Sequence, residues 1–100
     1  MENVWRKVKE YMEIVNIYRE IGKILRALGA QRVVLLHSKA TPNEKYEMSL
    51  EVAVDGMIDV TEADKVCRAT WENIDMKLLD LNDYSNRALM TEAIEDGIQL

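Results

Sequence analysis

One cysteine, one proline and one histidine stand in this chain of 100 residues, and each scarcity excludes something. The lone Cys67 leaves no internal disulfide and suits a reducing compartment such as the cytoplasm. Cys67 and His37 are the only soft ligand types, too few for a structural zinc site within one chain. No apolar run approaches the roughly 20 residues that span a bilayer, so no membrane segment is expected. The opening Met-Glu-Asn-Val-Trp-Arg-Lys lacks the apolar h-region of a secretory signal. Positive charge is also short: 13 Lys and Arg against 18 Asp and Glu give a net charge of −5. A basic nucleic-acid surface is therefore not expected. There is no internal repeat and no low-complexity tract. The length suits a single domain over residues 1–100, with one core.

What is present has clear periodicity. From Glu2 to Leu28 there is no proline, and Gly22 is the only glycine. Val4, Val8, Tyr11, Val15, Tyr18 and Leu25 form one apolar stripe, with Gly22 filling its gap. Ile14, Ile17, Ile21, Ile24 and Leu28 form a second, so the spacing predicts a long helix over about 2–28, closed by Gly29. Two stripes exceed what a small sheet needs. Either the core face is wide or part of the helix packs on another chain, its own copy or a helical partner.

Arg32 to His37 reads as a strand buried on both faces, and Lys39 to Tyr46 as a loop around Thr41-Pro42-Asn43. Glu47 to Val54 alternates. Met48, Leu50, Val52 and Val54 fall on one face, and Glu47, Ser49, Glu51 and Ala53 on the other. Asp55-Gly56 marks a turn. Thr61, with Asp64 three residues on, suggests the cap of a helix to about Asn73 that buries Ala63, Val66, Cys67 and Thr70. Asp75 to Leu81 reads as a third strand. Ser85 can cap a last helix through Asp96, with Ala88, Leu89, Ala93 and Ile94 buried and Gly97 as its stop. The fold class is α/β (α+β), a small mixed sheet covered by helices, in the order α-β-β-α-β-α.

Four segments carry a resemblance. "VVLLHSKA" is similar to a strand that ends in Gly-Ser. Ten residues after Ser38 comes Ser49-Leu50-Glu51, where an Asp-x-Asp would stand. "MKLLDLNDYS" is similar to a later strand with a third aspartate, and "AIEDGIQL" to a closing Glu-Gly-Val-x-Leu phrase. From about Ile17 onward the chain resembles the minimal nucleotidyltransferases, stripped-down relatives of polymerase beta. The resemblance implies their fold. In that family three aspartates hold two magnesium ions that stabilise an in-line displacement. The positions that match them here are Ser49, Glu51 and Lys77, and His37 stands at the glycine of Gly-Ser. A hydroxyl, a carboxylate and an ammonium sum to no formal charge, so two divalent cations would go unbalanced. The resemblance thus implies a nucleotidyltransferase-like protein with a broken catalytic set and no cofactor. The role expected of it is that of an interaction module, and the resemblance implies the kind that serves as antitoxin beside a helical HEPN-type toxin.

Two alternatives stay open. An active enzyme would move a nucleoside monophosphate from ATP with magnesium, rescued by a metal on Glu51 and Asp75. A metal-free nucleotide binder would set Ser38, Lys39 and Lys77 against the phosphates. Glu47 is roughly 13 Å along the strand from Glu51, too far to share a metal clamp, and Asp80 points away from Lys77. Glu51 and Lys77 are expected to pair with each other. His37 cannot readily activate its neighbour Ser38 across a strand, and is expected at the strand end with a hydrogen-bonded imidazole. Cys67, on an apolar helix face, reads as core rather than nucleophile. Trp5 and Trp71 read as packing residues, and Lys45 as a solvated loop lysine.

Overall fold

A computed structural model describes residues 2–40 and 48–100; within these, side chains are described for 14–40, 48–83, 85–86, 88, 91–92 and 95–100. The chain is a small α+β fold built on a four-stranded mixed sheet. Helix α1 (Glu2–Ala27) leads into β1 (Ala30–Ala40), β2 (Met48–Gly56), α2 (Val60–Thr70) and β3 (Ile74–Asp80). A 3-10 turn, Tyr84–Asn86, opens α3 (Arg87–Asp96), and β4 (Ile98–Gln99) ends the order. The strands lie β3-β2-β1-β4, with β1 antiparallel to β2 and β4 and β2 parallel to β3.

The long helix forms where the two stripes predict it. Ile21 and Leu25 are fully buried, and Ile17, Tyr18 and Leu28 pack on the same core. The stripe residues Val4, Val8 and Tyr11, with Trp5, have side chains outside those described. Gly22 interrupts the stripe because the C-terminal residue needs its space: a Cβ there would sit 3.0 Å from the carbonyl carbon of Leu100. The Leu100 N–H donates to the Val33 carbonyl at 2.9 Å. Gly29 closes the helix with φ +112°, as its place after the last apolar residue suggests.

The first sheet face carries Val33, Leu35, Leu50, Val52, Val54, Ile74 and Met76 against Ile21 and Leu25 of α1 and Ala63 and Cys67 of α2. The second face buries a smaller group, Val34, Ala53 and Leu81, with Leu36 and Leu79 at its margin. Helix α2 is the crossover between parallel β2 and β3. Helix α3 connects β3 to β4 and lies against β1.

Several expectations need correction. The sheet gains β4, a two-residue strand too short for any periodic signal. Strand β1 runs on to Ala40, so Lys39 is a strand residue and His37 is not at the strand end. Helix α2 stops at Thr70 with Trp71 as its C-cap, short of Asn73. Its N-cap is Asp59, whose carboxylate accepts from the N–H groups of Thr61 (3.0 Å) and Glu62 (3.2 Å). Thr61 lies inside the helix, and Asp64 pairs with Arg68 at 2.8 Å. Thr70 and Ala88 are exposed and Val66 is half-buried, where burial was expected. Ser85 does not cap α3: its hydroxyl donates to Asp83 at 2.8 Å. Gly97 follows the last helical residue but has no positive φ. Leu89, Ala93 and Ile94 have side chains outside those described, and the loop reading of 41–46, with Lys45, and the face position of Glu47 fall on residues outside those described.

Candidate functional site

The residues that match the family's catalytic positions come from two neighbouring strands. Ser49 and Glu51 are two apart on β2 and share the second sheet face. Parallel pairing sets Ser49 against Asp75 and Glu51 against Lys77 on β3. On the other side, β1 sets Lys39 against Ser49 and His37 against Glu51. Two polar rows result, Lys39–Ser49–Asp75 and His37–Glu51–Lys77. His37, Lys39, Asp75 and Lys77 are exposed, and Ser49 and Glu51 are half-buried. The rows occupy the end of the face beyond the Val34–Ala53–Leu81 cluster.

A bulge decides which β1 residues reach this face. Leu35 pairs with Val52 but His37, not Leu36, pairs with Glu51, so Leu36 is an extra residue. Strict alternation from Val34 and Leu36 would put Ser38 on the polar face. The bulge moves it to the first face, opposite Leu50. There its hydroxyl is hydrogen-bonded to the Tyr18 hydroxyl of α1 at 2.8 Å. The set Ser38, Lys39 and Lys77 is therefore split across the sheet. Lys39 and Lys77 do share a face, on strands either side of β2 and one row apart, roughly 12 Å from each other.

Glu51 and Lys77 stand side by side, as register requires, but do not form the expected ion pair. The ion pairs among the described residues are Lys23–Glu20, Arg32–Asp55, Lys65–Glu62 and Arg68–Asp64. An exposed pair on a sheet face gains at most about 1 kcal/mol, too little to immobilise a lysine held equally well by water. Glu51 and Asp75 lie diagonally, one row apart, and no group of three His, Cys, Asp or Glu suited to a metal occurs among the described residues. Asp80 is taken up locally, its carboxylate accepting from the Asn82 N–H at 2.9 Å.

His37 and Ser38 point to opposite faces, so neither activates the other. The imidazole has no hydrogen-bond partner among the described residues, contrary to expectation. Cys67 is core, 1% exposed, and its thiol is pushed up to about 11 by burial, with the nearby Asp64 carboxylate adding to the rise. A thiol so disposed is a poor nucleophile at neutral pH. Trp71 is half-buried and packs against the core at the end of α2. The Tyr18–Ser38 bond was missed from sequence because it joins residues 20 apart across a helix–strand packing. The only sequence signal for it is a tyrosine within an apolar stripe.

The fold is thus that of a small α+β domain whose sheet presents one partly open, mixed-charge end. Compared with known families, curated proteins and solved structures, the chain matches no family model, no curated protein and no solved structure. No helix among the described residues is long and apolar enough to cross a membrane.

Proposed function

We propose that this chain is a cytoplasmic nucleotidyltransferase-like domain that works as an interaction module and not as an enzyme. The observation that carries the reading is the position of Lys77. It faces Glu51 in register, with Ser49 two residues from Glu51 on the same strand. These are adjacent places on one sheet face, which is what the family resemblance requires of its three carboxylates. The place of one carboxylate is filled by a cation and that of another by a neutral hydroxyl. Two magnesium ions need hard anionic oxygens around them, and a lysine ammonium at that point repels them.

The resemblance extends the reading to a helical partner, a HEPN-type toxin to which this chain would be the antitoxin. The contact is assigned to the two-stripe helix α1, which spans about 39 Å at 1.5 Å per residue and gives Ile17, Tyr18, Ile21, Leu25 and Leu28 to the core. A second copy of the chain is the other occupant of that helix.

Calorimetric titration with ATP tests the reading, first with magnesium and then with EDTA. Heat of binding is expected in neither buffer. Magnesium-dependent binding would overturn the reading in favour of an active enzyme with a metal at Glu51 and Asp75. Binding that survives EDTA and is lost in Lys77→Ala would replace it with a metal-free nucleotide binder.

A further inference from the structure

The two edges of the sheet are unlike. β4 is two residues long and blunt, whereas β3 runs for seven residues with no strand on its outer side among the described residues. Long free edges are templates for pairing, and proteins usually guard them with a bulge, a proline or charged side chains, lysine above all, which repel a like edge unless the partner brings the opposite sign. β3 has neither proline nor bulge in its pairing with β2, and its charges come as a spaced set, Asp75, Lys77 and Asp80.

The ladder shows which backbone groups are free. The Leu81 N–H donates to the Val54 carbonyl at 2.8 Å, and Val54 faces Asp80 in register. In a parallel ladder this turns the N–H and C=O of the odd-numbered β3 residues toward β2. Those of Met76 and Leu78, and the Ile74 carbonyl, point outward. The Ile74 N–H is already bonded to the Trp71 carbonyl at 3.2 Å.

We propose that β3 pairs antiparallel with β3 of a second copy about a two-fold axis at Met76, joining the two sheets into one. In this register Met76 exchanges N–H and C=O with its twin. The Leu78 N–H donates to the Ile74 carbonyl of the second copy, and the reverse. Asp75 then lies directly opposite Lys77 of the second copy, and Lys77 opposite its Asp75. Both pairs fall at non-hydrogen-bonded positions, where facing side chains are closest. All four groups are on the exposed second face. On the first face, Ile74 meets Leu78 of the second copy. Charge selects this register. A two-fold at Lys77 sets lysine against lysine, and one at Asp75 sets aspartate against aspartate. The ladder ends at Ile74 and Leu78, because one step further Glu72 would meet Asp80. The proposal stands apart from the reading of α1 and of the nucleotide positions, and neither depends on the other.

Sedimentation equilibrium of the purified chain at low ionic strength tests it. The wild type is expected to dimerise, more weakly as salt rises. Asp75→Lys and Lys77→Asp each turn both symmetry-related pairs repulsive, and each should weaken dimerisation roughly tenfold or more. The double variant Asp75→Lys/Lys77→Asp exchanges the charges and should dimerise again. An equimolar mixture of the two single variants should form heterodimers in preference to either homodimer. Circular dichroism checks that each variant folds. If Lys77→Asp does not, because it sets an aspartate beside Glu51, then Asp75→Lys, which leaves Lys77 in place, decides alone: a dimer it leaves unchanged overturns the proposal. A monomeric wild type overturns the proposal. So does a dimer that both single variants leave unchanged, since its contact then lies elsewhere, α1 included.

Discussion

Removing the Asp59 side chain separates two accounts of how α2 begins. The helix has eleven residues, and the first N–H groups of any helix lack intrahelical partners. Asp59 has extended backbone angles, φ −85° and ψ 105°, and its carboxylate accepts from Thr61 N–H at 3.0 Å and Glu62 N–H at 3.2 Å. Its own carbonyl accepts the first helical bond, from Ala63 N–H at 2.9 Å. Asp59→Ala should therefore cost about 1 kcal/mol, within the 0.5–2 kcal/mol range of such caps. For a domain of this length, 1 kcal/mol lowers Tm by roughly 4–8 °C. Asp59→Asn keeps the acceptor and loses only the charge at the helix N-terminus, a few tenths of a kcal/mol up to about 1. Thr61→Ala removes an exposed hydroxyl inside the helix and should stay within about 0.5 kcal/mol. Thermal melts followed by circular dichroism at pH 7 read all three. A larger loss for Thr61→Ala than for Asp59→Ala would refute the cap assignment. The consequence reaches the candidate site, because α2 delivers the chain into β3 and so supports the register that sets Lys77 beside Glu51.

Two titrations can be checked beside it. Cys67 should resist thiol reagents in the native state near pH 8 and react on unfolding, as followed by mass spectrometry of alkylated protein. Its folded pKa, about 11, is raised above the ordinary thiol value of 9.0, so its contribution to stability is intact below pH 9 and lost as pH rises toward 11. Urea melts should show that loss in the wild type at a slope of up to about 1.4 kcal/mol per pH unit, and less of it in Cys67→Ala. Asp83 should titrate below the ordinary aspartate range, because the Ser85 hydroxyl and N–H both donate to its carboxylate. Ser85→Ala should move its carboxyl resonance back toward the usual pH. The favourable contribution of this turn is present above the unfolded pKa and lost as pH falls through the folded one.

The elements with their own periodicity were legible. The stripes through Ile17, Ile21, Leu25 and Leu28 predict α1, and the alternation of Met48 to Val54 predicts β2, because helix and strand faces follow from neighbours a few residues away. Val33, Val34 and Leu35 are buried on both faces, as a continuous apolar run suggests. Gly29 stops its helix as read. The core position of Cys67 followed from its place on an apolar face. Boundaries were less legible. Asp59 and Thr61 are both good cap residues two apart, and only the packing of Ala63 and Cys67 on the sheet fixes which turn comes first.

The sequence by itself determined the element types, the α+β class, the faces of β2 and the absence of three carboxylates at the matching positions. Tertiary structure alone decided what meets across the sheet. The extra residue Leu36 shifts the count along β1, so Ser38 leaves the polar face and bonds Tyr18 while His37 comes beside Glu51. The parallel register of β3 against β2 brings Lys77 to the same carboxylate, and β4 completes the sheet beside β1. Alternation within one strand is a local property set by backbone geometry. A bulge and a register are settled between strands, by the fit of both faces to their cores, and no single strand's pattern contains them.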